Sequence, residues 1–281
     1  MCRLLGIVSR DVRHFWRCLR DESRGLVALS REHGDGWGIA AHHATRGWSI
    51  AKGVASAHED RSFDVAASEA QGSTLLAHVR RRTVGSVSLA NTHPFHRDGW
   101  AFAHNGTIER LDAVRAAIGK PTDGIVGETD SEVLFAFLLA KIQSQPASPT
   151  SALVSAVEEL GRIPSLGAAT FLLSDGVTLY AYRHGRPLTL LERRCGDQVE
   201  AVLIASEPVT DDEPWSLIPE ETLVAISREP DCVRLTVVDL VSRGPSHAFS
   251  ASARPLPDNH KEHRDEIRAN SVVPREAGAM R

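Results

Sequence analysis

The sequence opens with Met1-Cys2-Arg3 and the apolar run Leu4-Leu5-Gly6-Ile7-Val8. An apolar run of this length predicts a short buried strand over residues 3–9. If Met1 is removed, Cys2 becomes the first residue and carries a free α-amine beside its thiol. The two groups have ordinary pKa values of about 8 and about 8.5, so each is partly in its reactive form near neutral pH. One residue would then supply a nucleophile and its base. The alternative is an ordinary small residue after a start methionine.

Composition excludes several classes of function. The chain has 281 residues, 42% of them hydrophobic, which suffices for one large domain or two small ones. Its net charge is −4, and no run of like charge exceeds the length of Arg80-Arg81-Arg82, so we predict no nucleic-acid partner. No apolar run approaches the ~20 residues that span a bilayer, so we predict no membrane segment.

The cysteines and the N-terminus predict a cytoplasmic protein. The first apolar run is followed at once by Ser9-Arg10-Asp11, which is unlike a signal peptide. The four cysteines, Cys2, Cys18, Cys195 and Cys232, show no CxxC spacing, so neither a disulfide framework nor a zinc knuckle is indicated. The 13 histidines are scattered. We therefore predict no metal and no cofactor.

Two stretches have residues suited to a binding site. His33-Gly34-Asp35-Gly36-Trp37-Gly38 predicts a tight turn or a backbone that another group approaches closely, followed by a hairpin over 39–52. The strand Thr74–Val79 ends in Arg80-Arg81-Arg82-Thr83. Such a cation cluster is either a solvated strand edge or a fork that binds a carboxylate through two hydrogen bonds.

Two further stretches combine polar groups with predicted helices. The strand Trp100–His104 leads into Asn105-Gly106, and residues 108–118 have helical periodicity. A strand-Asn-Gly-helix arrangement presents an amide and a glycine N–H that can stabilise an oxyanion, although Asn-Gly is most often a hairpin turn. Before the helix predicted over 133–142, Asp130 or Ser131 is either an N-cap or, for Asp130, a carboxylate free to pair with an ammonium group.

The remaining pattern predicts a helix over 13–29, a helix from a Thr150 cap to Leu160, and strands from Ala169 onward. A hairpin is predicted at Asp175-Gly176. These strands extend the first half of the chain rather than forming a separate domain. We predict one domain over residues 2–249 and a polar, mobile tail over 250–281.

Taken in order, these motifs resemble those of class II glutamine amidotransferases. The shared motifs are Cys2 behind the start methionine, Ala-His-Val-Arg at 77–80 with Thr83 and Gly85, His104-Asn105-Gly106, and Thr129-Asp130-Ser131-Glu132. Asp-Gly-Trp-Gly at 35–38 and Asn-Thr-His-Pro-Phe at 91–95 are similar to a stand-alone branch that includes the γ-glutamyl hydrolase of ergothioneine biosynthesis. The resemblance implies an N-terminal-nucleophile hydrolase of α+β class, a four-layer αββα sandwich of two stacked antiparallel sheets.

The resemblance also implies a role for each site residue. Cys2 would attack the side-chain amide of glutamine or of a γ-glutamyl compound, with its own α-amine as general base. Asn105 and Gly106 would form the oxyanion hole. Arg80, helped by Thr83, would bind the α-carboxylate of this small-molecule substrate, and Asp130 would bind its α-ammonium. Arg81 or Arg82 could share the contact with the carboxylate.

Three alternatives stay open at this point. After Leu240 there is too little sequence for a synthase domain, so we favour simple hydrolysis over delivery of ammonia to a separate synthase subunit. A hydrolase for amides without a zwitterionic head would keep its activity when Arg80 and Asp130 are replaced. A non-catalytic regulatory subunit would keep Met1.

Overall fold

Two antiparallel sheets make up the centre of the computed structural model, which describes residues 2–118 and 124–240. Their strands in chain order are β1 (Arg3–His14), β2 (Trp37–His43), β3 (Gly47–Gly53), β4 (Gln71–Val79), β5 (Phe95–Arg97), β6 (Trp100–Ile108), β7 (Gly167–Ser174), β8 (Thr178–Arg183), β9 (Thr189–Cys195), β10 (Gln198–Ala205), β11 (Ser216–Leu217), β12 (Thr222–Arg228) and β13 (Val233–Asp239). The strand order is β11-β9-β10-β1-β4-β2-β3 in the seven-stranded sheet and β13-β12-β8-β7-β6-β5 in the six-stranded sheet.

Helices cover the outer face of each sheet. They are α1 (Leu26–Leu29), α2 (Arg61–Glu69), α3 (Leu111–Ile118), α4 (Asp130–Ser144) and α5 (Pro149–Gly161). Apolar residues of α3, α4 and α5 pack on the six-stranded sheet. Those of α1, α2 and a π-helical turn at Arg17–Asp21 pack on the seven-stranded sheet. None of these described helices has the length and apolar character to cross a membrane. The predicted four-layer αββα architecture is confirmed.

The alternation of β1 decides which of its residues face the other sheet. Leu4 and Val8 pack between the two sheets, whereas Leu5 and Ile7 pack against the helical layer. Side chains two residues apart on a strand share a face. The run of residues 3–9 is apolar without alternation because both faces of the strand are buried.

The second half of the chain contributes strands to both sheets. The predicted hairpin at Asp175-Gly176 is present between β7 and β8, in the six-stranded sheet. In contrast, β10 pairs with β1 in the seven-stranded sheet, with Leu5 opposite Ala205. The second half is therefore continuous with the first, as the sequence predicts. The proposed boundary at residue 249 and the tail 250–281 lie outside the described residues.

Three local predictions are wrong. The helix expected over 13–29 is largely absent, because β1 continues to His14 and only a π-helical turn and α1 follow. The strand expected to end at His104 runs through Asn105-Gly106 to Ile108, and α3 begins only at Leu111. The caps of α4 and α5 are Thr129 and Ser148, whose hydroxyls accept hydrogen bonds from the backbone N–H groups of Glu132 and Ser151.

Candidate active site

Cys2 immediately precedes β1 and, by the alternation of the strand, shares a face with Leu4, which packs between the two sheets. Arg3 pairs with Val79 of β4, so the same register places Cys2 opposite Arg80. Its Sγ lies 3.4 Å from both the backbone oxygen and the backbone nitrogen of Arg81. Burial raises the pKa of the Cys2 thiol, and the Arg81 hydrogen bond and the charge of Arg80 oppose this only in part. A half-buried thiol therefore lies next to a fixed cation.

Arg80 is the buried arginine of the triplet, it lies opposite Cys2 in the strand register, and its charge acts to lower the pKa of the Cys2 thiol. It is only 3% exposed, while Arg81 and Arg82 are exposed. Its guanidinium donates to the carbonyl oxygens of Val84, at 2.8 Å, and Ser86, at 3.0 Å. A guanidinium has five N–H groups, so these bonds leave donors for a carboxylate. Of the three arginines, Arg80 is therefore the one that is buried and whose guanidinium is fixed by hydrogen bonds to the backbone.

The chain after Arg80 forms a loop over residues 81–91, which we call the Arg80 loop. Ser86 donates through its backbone N–H and its hydroxyl to the Glu128 carboxylate, at 3.1 and 3.0 Å. The Asn91 side chain donates to Ser86 and receives a hydrogen bond from the Glu128 backbone at 2.8 Å. Thr83 is exposed on this loop, and its side chain forms no hydrogen bond within residues 2–118 and 124–240. The structure therefore brings Arg80, but not Thr83, into contact with the buried part of the site.

Asn105 faces the space between the sheets from β6. Ala103 and Ala101, two and four residues before it on the strand, belong to the core between the sheets, so Asn105 shares their face. The side chain is 4% exposed and donates from Nδ2 to the Ser206 hydroxyl at 3.4 Å. That hydroxyl also accepts the Leu4 backbone N–H at 3.0 Å. Asn105 is thus connected to the strand that carries Cys2.

The Gly106 N–H points to the open edge of β6. The Glu109 N–H donates to Leu166 on the β7 side, whereas the Ile108 N–H points the other way and donates to Asp130. N–H groups alternate along an antiparallel strand, so Gly106 points the same way as Ile108. On that side β5 pairs only with Trp100–Phe102. A side chain at Gly106 would place Cβ 2.0 Å from the Ala168 carbonyl oxygen, so packing also requires glycine here.

Asp130 lies at the same edge. It is the first residue of α4 and is 5% exposed. Its Oδ2 accepts the Ile108 N–H at 2.7 Å, and Thr129 rather than Asp130 caps the helix. Ile108 and Gly106 are two residues apart, about 7 Å on an extended strand. The Asp130 carboxylate therefore lies beside the Asn105-Gly106 segment, and within the described residues its second oxygen accepts no hydrogen bond.

Sequence reasoning missed Ser206 and gave no role to three buried histidines, His33, His78 and His93. Both ring nitrogens of each histidine have no hydrogen-bond partner within the described part of the chain. Burial lowers the pKa of His78 to about 3 and that of His33 to about 4, with Arg80 and Arg3 respectively adding to the effect. His78 belongs to the Ala-His-Val-Arg motif at 77–80, and on β4 it precedes Arg80 by two residues and so shares its face. Ser206 carries no sequence signal of its own.

A set of potential metal ligands lies on the six-stranded sheet, apart from Cys2. Within the described ranges, His184, Glu220 and Glu221 are the residues that group in this way. Their polar atoms already bond to protein groups: Glu221 to His184 and to the Tyr182 hydroxyl, and Glu220 to Arg183. This set is therefore accounted for by internal hydrogen bonds.

Residues 1–195 match the family model of class II glutamine amidotransferases. The chain belongs to this family. It is 30% identical over 257 residues to a gamma-glutamyl-hercynylcysteine sulfoxide hydrolase of Mycobacterium tuberculosis, an alignment that covers 87% of this chain and 100% of the relative. As a class II glutamine amidotransferase it is an amide-cleaving enzyme with a small-molecule substrate.

Two solved structures share the fold of this amidotransferase. One is a glutamine aminotransferase class-II domain protein from Silicibacter pomeroyi, with a TM-score of 0.55 and 21% identity, covering 83% of this chain and 98% of the other. The second is the glutamine phosphoribosylpyrophosphate amidotransferase of B. subtilis, with a TM-score of 0.59 and 19% identity. It covers 83% of this chain and 48% of the other. At these identities the comparison establishes the fold.

Proposed function

We propose that this enzyme hydrolyses the side-chain amide of a γ-glutamyl compound through a thioester on Cys2. The observation that carries the proposal is the convergence of Cys2, Arg80 and Asn105 at one end of the space between the sheets. Cys2 lies opposite Arg80, and Asn105 connects through Ser206 to Leu4, two residues from Cys2. This arrangement and the family support the roles that we propose for these residues.

The first half of the reaction forms the thioester. After removal of Met1, the α-amine of Cys2 takes the thiol proton, and the sulfur attacks the amide carbon. Negative charge then develops on the carbonyl oxygen, which receives hydrogen bonds from the Asn105 side-chain amide and the Gly106 N–H. The α-ammonium gives its proton to the leaving nitrogen as the C–N bond breaks. The products of this half are a thioester and a free amine.

The second half restores the enzyme. The α-amine takes a proton from a water molecule, whose oxygen attacks the thioester carbon, and the same two donors stabilise the second oxyanion. The C–S bond breaks, the sulfur recovers its proton, and the γ-carboxylate of glutamate leaves. Every proton is passed by one amine, so the mechanism requires a free N-terminus at Cys2.

The substrate head is held by two opposite charges. We assign the α-carboxylate to Arg80, whose fork is fixed by its bonds to Val84 and Ser86. The α-ammonium pairs with the free oxygen of Asp130. A head fixed at both ends places the distal carbonyl against the sulfur, and such positioning contributes several kcal/mol to catalysis. Thr83 is proposed as a further ligand of the carboxylate through movement of the Arg80 loop.

We favour hydrolysis over supply of ammonia to a synthase subunit. The M. tuberculosis relative is named as a hydrolase and is covered over 100% of its length. A released amine larger than ammonia needs no second active site. We also expect the enzyme to act in the cytoplasm, in line with its cysteine pattern.

The test is intact mass before and after treatment with a diazo-ketone analogue of glutamine. We expect loss of Met1 and one adduct, with no adduct on Cys2→Ala. Cys18→Ala is the matched control, since Cys18 is a buried thiol outside the site and should leave the adduct unchanged. Retained Met1 without an adduct would contradict the proposal and favour a regulatory subunit. If the adduct forms, hydrolysis of glutamine and of γ-glutamyl amides is compared at equal enzyme concentration.

A further inference from the structure

We infer that Ser206 is a positioning residue that orients the Asn105 amide toward the substrate carbonyl. The inference rests on the proposed function, because Asn105 must act as the oxyanion donor. Ser206 is the residue directly after β10, and β10 pairs with β1. It is 8% exposed, so its hydroxyl is held by protein groups rather than by solvent.

Ser206 forms hydrogen bonds with both the N–H and the carbonyl group of Leu4. Its backbone N–H donates to the Leu4 carbonyl oxygen at 3.1 Å, and its hydroxyl accepts the Leu4 N–H at 3.0 Å. The next residue, Glu207, forms an ion pair with Arg3. The segment after β10 therefore fixes the two residues that follow Cys2.

The same hydroxyl fixes the Asn105 side chain. The bond from Nδ2 at 3.4 Å is the side-chain hydrogen bond that Asn105 makes within the described residues. A serine hydroxyl has two acceptor positions, and Leu4 and Asn105 together fill both. An amide nitrogen has two N–H groups, so one remains for the substrate oxygen.

The two functions of Ser206 meet at the reaction centre. One oxygen atom bonds to the nucleophile strand of the seven-stranded sheet and to the oxyanion donor of the six-stranded sheet. The hydroxyl thereby connects the strand that follows Cys2 to the Asn105 side chain. Without the hydroxyl, Asn105 is free to turn its carbonyl oxygen toward the developing negative charge, which would be repulsive.

Ser206→Ala is compared with Ser174→Ala and with Ser206→Thr. Ser174 is buried as well, and its hydroxyl accepts the Gly176 N–H at 3.0 Å and donates to the Thr178 carbonyl oxygen at 2.7 Å, but it lies at the far end of β7. Both alanine variants lose one acceptor for a backbone N–H, and only Ser206→Ala loses the contact with Asn105. Ser206→Thr keeps the hydroxyl and serves as the rescue variant. Thermal unfolding of each variant reports its stability.

Two reactions of Cys2 separate orientation of the amide from placement of the sulfur. Hydrolysis of a γ-glutamyl anilide develops an oxyanion, whereas alkylation by iodoacetamide displaces iodide and develops none. Removing an oxyanion donor typically lowers kcat by about 10²–10³-fold, so its misorientation should lower kcat by about 10- to 100-fold. For Ser206→Ala we expect that loss with alkylation of Cys2 within about threefold of the parent. Ser174→Ala and Ser206→Thr should retain both rates.

A double variant completes the test. If Ser206 acts through Asn105, Asn105→Ala with Ser206→Ala should be no slower than Asn105→Ala alone, since coupled residues are not additive. Multiplying effects, or equal losses of hydrolysis and alkylation in Ser206→Ala, would overturn the inference. If Asn105→Ala itself keeps its turnover, the proposed oxyanion hole fails. If Asn105→Ala loses turnover and Ser206→Ala does not, only the role of Ser206 fails.

Discussion

Two opposing effects act on the thiol of Cys2. Burial raises its pKa, and the bond from Arg81 and the charge of Arg80 lower it by less. A raised pKa leaves little thiolate at neutral pH, and the thiolate is the nucleophile. In a chain that retains a residue before Cys2, the backbone amide at this position is no base. On the proposed mechanism, chemistry at Cys2 therefore depends on exposure of its α-amine.

A fusion protein cut immediately before Cys2 tests this dependence. We expect no measurable hydrolysis of γ-glutamyl anilide before the cut and full turnover after it, with the same chain in both samples. In the uncut sample, the rate of Cys2 alkylation should rise with pH. The midpoint of that rise should lie above the ordinary thiol pKa of about 8.5. Alkylation of the exposed Cys195 provides the internal reference. Equal turnover before and after the cut would exclude the α-amine as the base.

Arg80→Lys tests whether the Arg80 guanidinium binds the α-carboxylate of the substrate. Lysine keeps the charge but loses the fork, and a hydrogen bond to a charged group contributes about 1.5–3 kcal/mol. We expect kcat/KM for glutamine to fall by about 10- to 100-fold, mainly through KM. Arg82→Lys, at an exposed position of the same run, should change it by less than about twofold. Unchanged kinetics for Arg80→Lys would favour a substrate without a zwitterionic head.

Asp130→Asn separates charge from structure. The asparagine oxygen can still accept the Ile108 N–H, so the free energy of unfolding should change by less than about 1 kcal/mol. The charge that would pair with the α-ammonium is lost, and we expect kcat/KM to fall by about 10- to 100-fold. Asp112→Asn on the surface of α3 is the control. Full activity of Asp130→Asn would show that its carboxylate serves only the strand edge.

At the scale of elements, the Arg80 loop is held by a carboxylate from the segment before α4. The backbone N–H of Ser86, its hydroxyl and Asn91 all lower the pKa of Glu128. A carboxyl whose pKa is lower in the folded state contributes stability above its ordinary value of about 4.3, and that contribution is lost as pH falls through the folded value. Order in the loop should therefore decrease in acid.

Hydrogen exchange at Ser86, corrected for the intrinsic rate, follows the loop directly. In the parent, protection should fall below pH 4.3 or so, and in Glu128→Gln it should change little over the same range because no charge titrates. At neutral pH, Glu128→Ala should speed tryptic cleavage after the exposed Arg81 and Arg82 severalfold. Glu69→Ala, at the end of α2, should not. Flat protection in both proteins would show that Glu128 does not hold the loop.

Elements were predicted where local pattern and tertiary context agree. The hairpin at Asp175-Gly176 carries its own turn chemistry, and Gly176 has a positive φ of 93°. Residues 13–29 do not form the predicted helix. Their apolar spacing does not show that β4 pairs with β1 as far as His14. Asn105-Gly106 stays in a strand because β7 pairs along it to Ile108. In both places a distant strand overrides the local signal.

At the scale of the molecule, motifs in the sequence predict a set of site residues but not the hydrogen bonds that connect them. Motifs in the sequence identified Cys2, Arg80, Asn105 and Asp130. The roles of these residues stay predictions. Ser206 was not identified, because its contacts join β10, β1 and β6 across two sheets. Nothing in its neighbourhood along the chain indicates such a position. A single buried serine becomes informative only when both sheets are in place.

Gly38 and Gly6 lie at the interior of the sandwich, where neighbouring groups approach the backbone closely. A Cβ at Gly38 of β2 would lie 2.0 Å from the His93 carbonyl oxygen and 2.8 Å from Pro94. A Cβ at Gly6 of β1 would lie 2.8 and 3.0 Å from the ends of Leu179 and Leu172. Backbone cannot move aside as the end of a leucine can. The 33–38 stretch was predicted to be a tight turn or a backbone that another group approaches closely. Gly38 marks the close backbone approach, and Gly36, with a φ of 132°, marks the turn.

Gly38→Ala and Gly6→Ala should then differ in urea denaturation. Overpacking that side chains can absorb costs about 1–3 kcal/mol, which we expect for Gly6→Ala, and Gly38→Ala should exceed that range. Gly38 pairs with His78, two residues before Arg80, so the displaced strand should also weaken binding of the substrate head. Gly6→Ala should lower the free energy of unfolding and leave KM near the parent value. The opposite order of stabilities would mean that the 92–94 segment yields more easily than the core between the sheets, and that the site does not depend on this close approach.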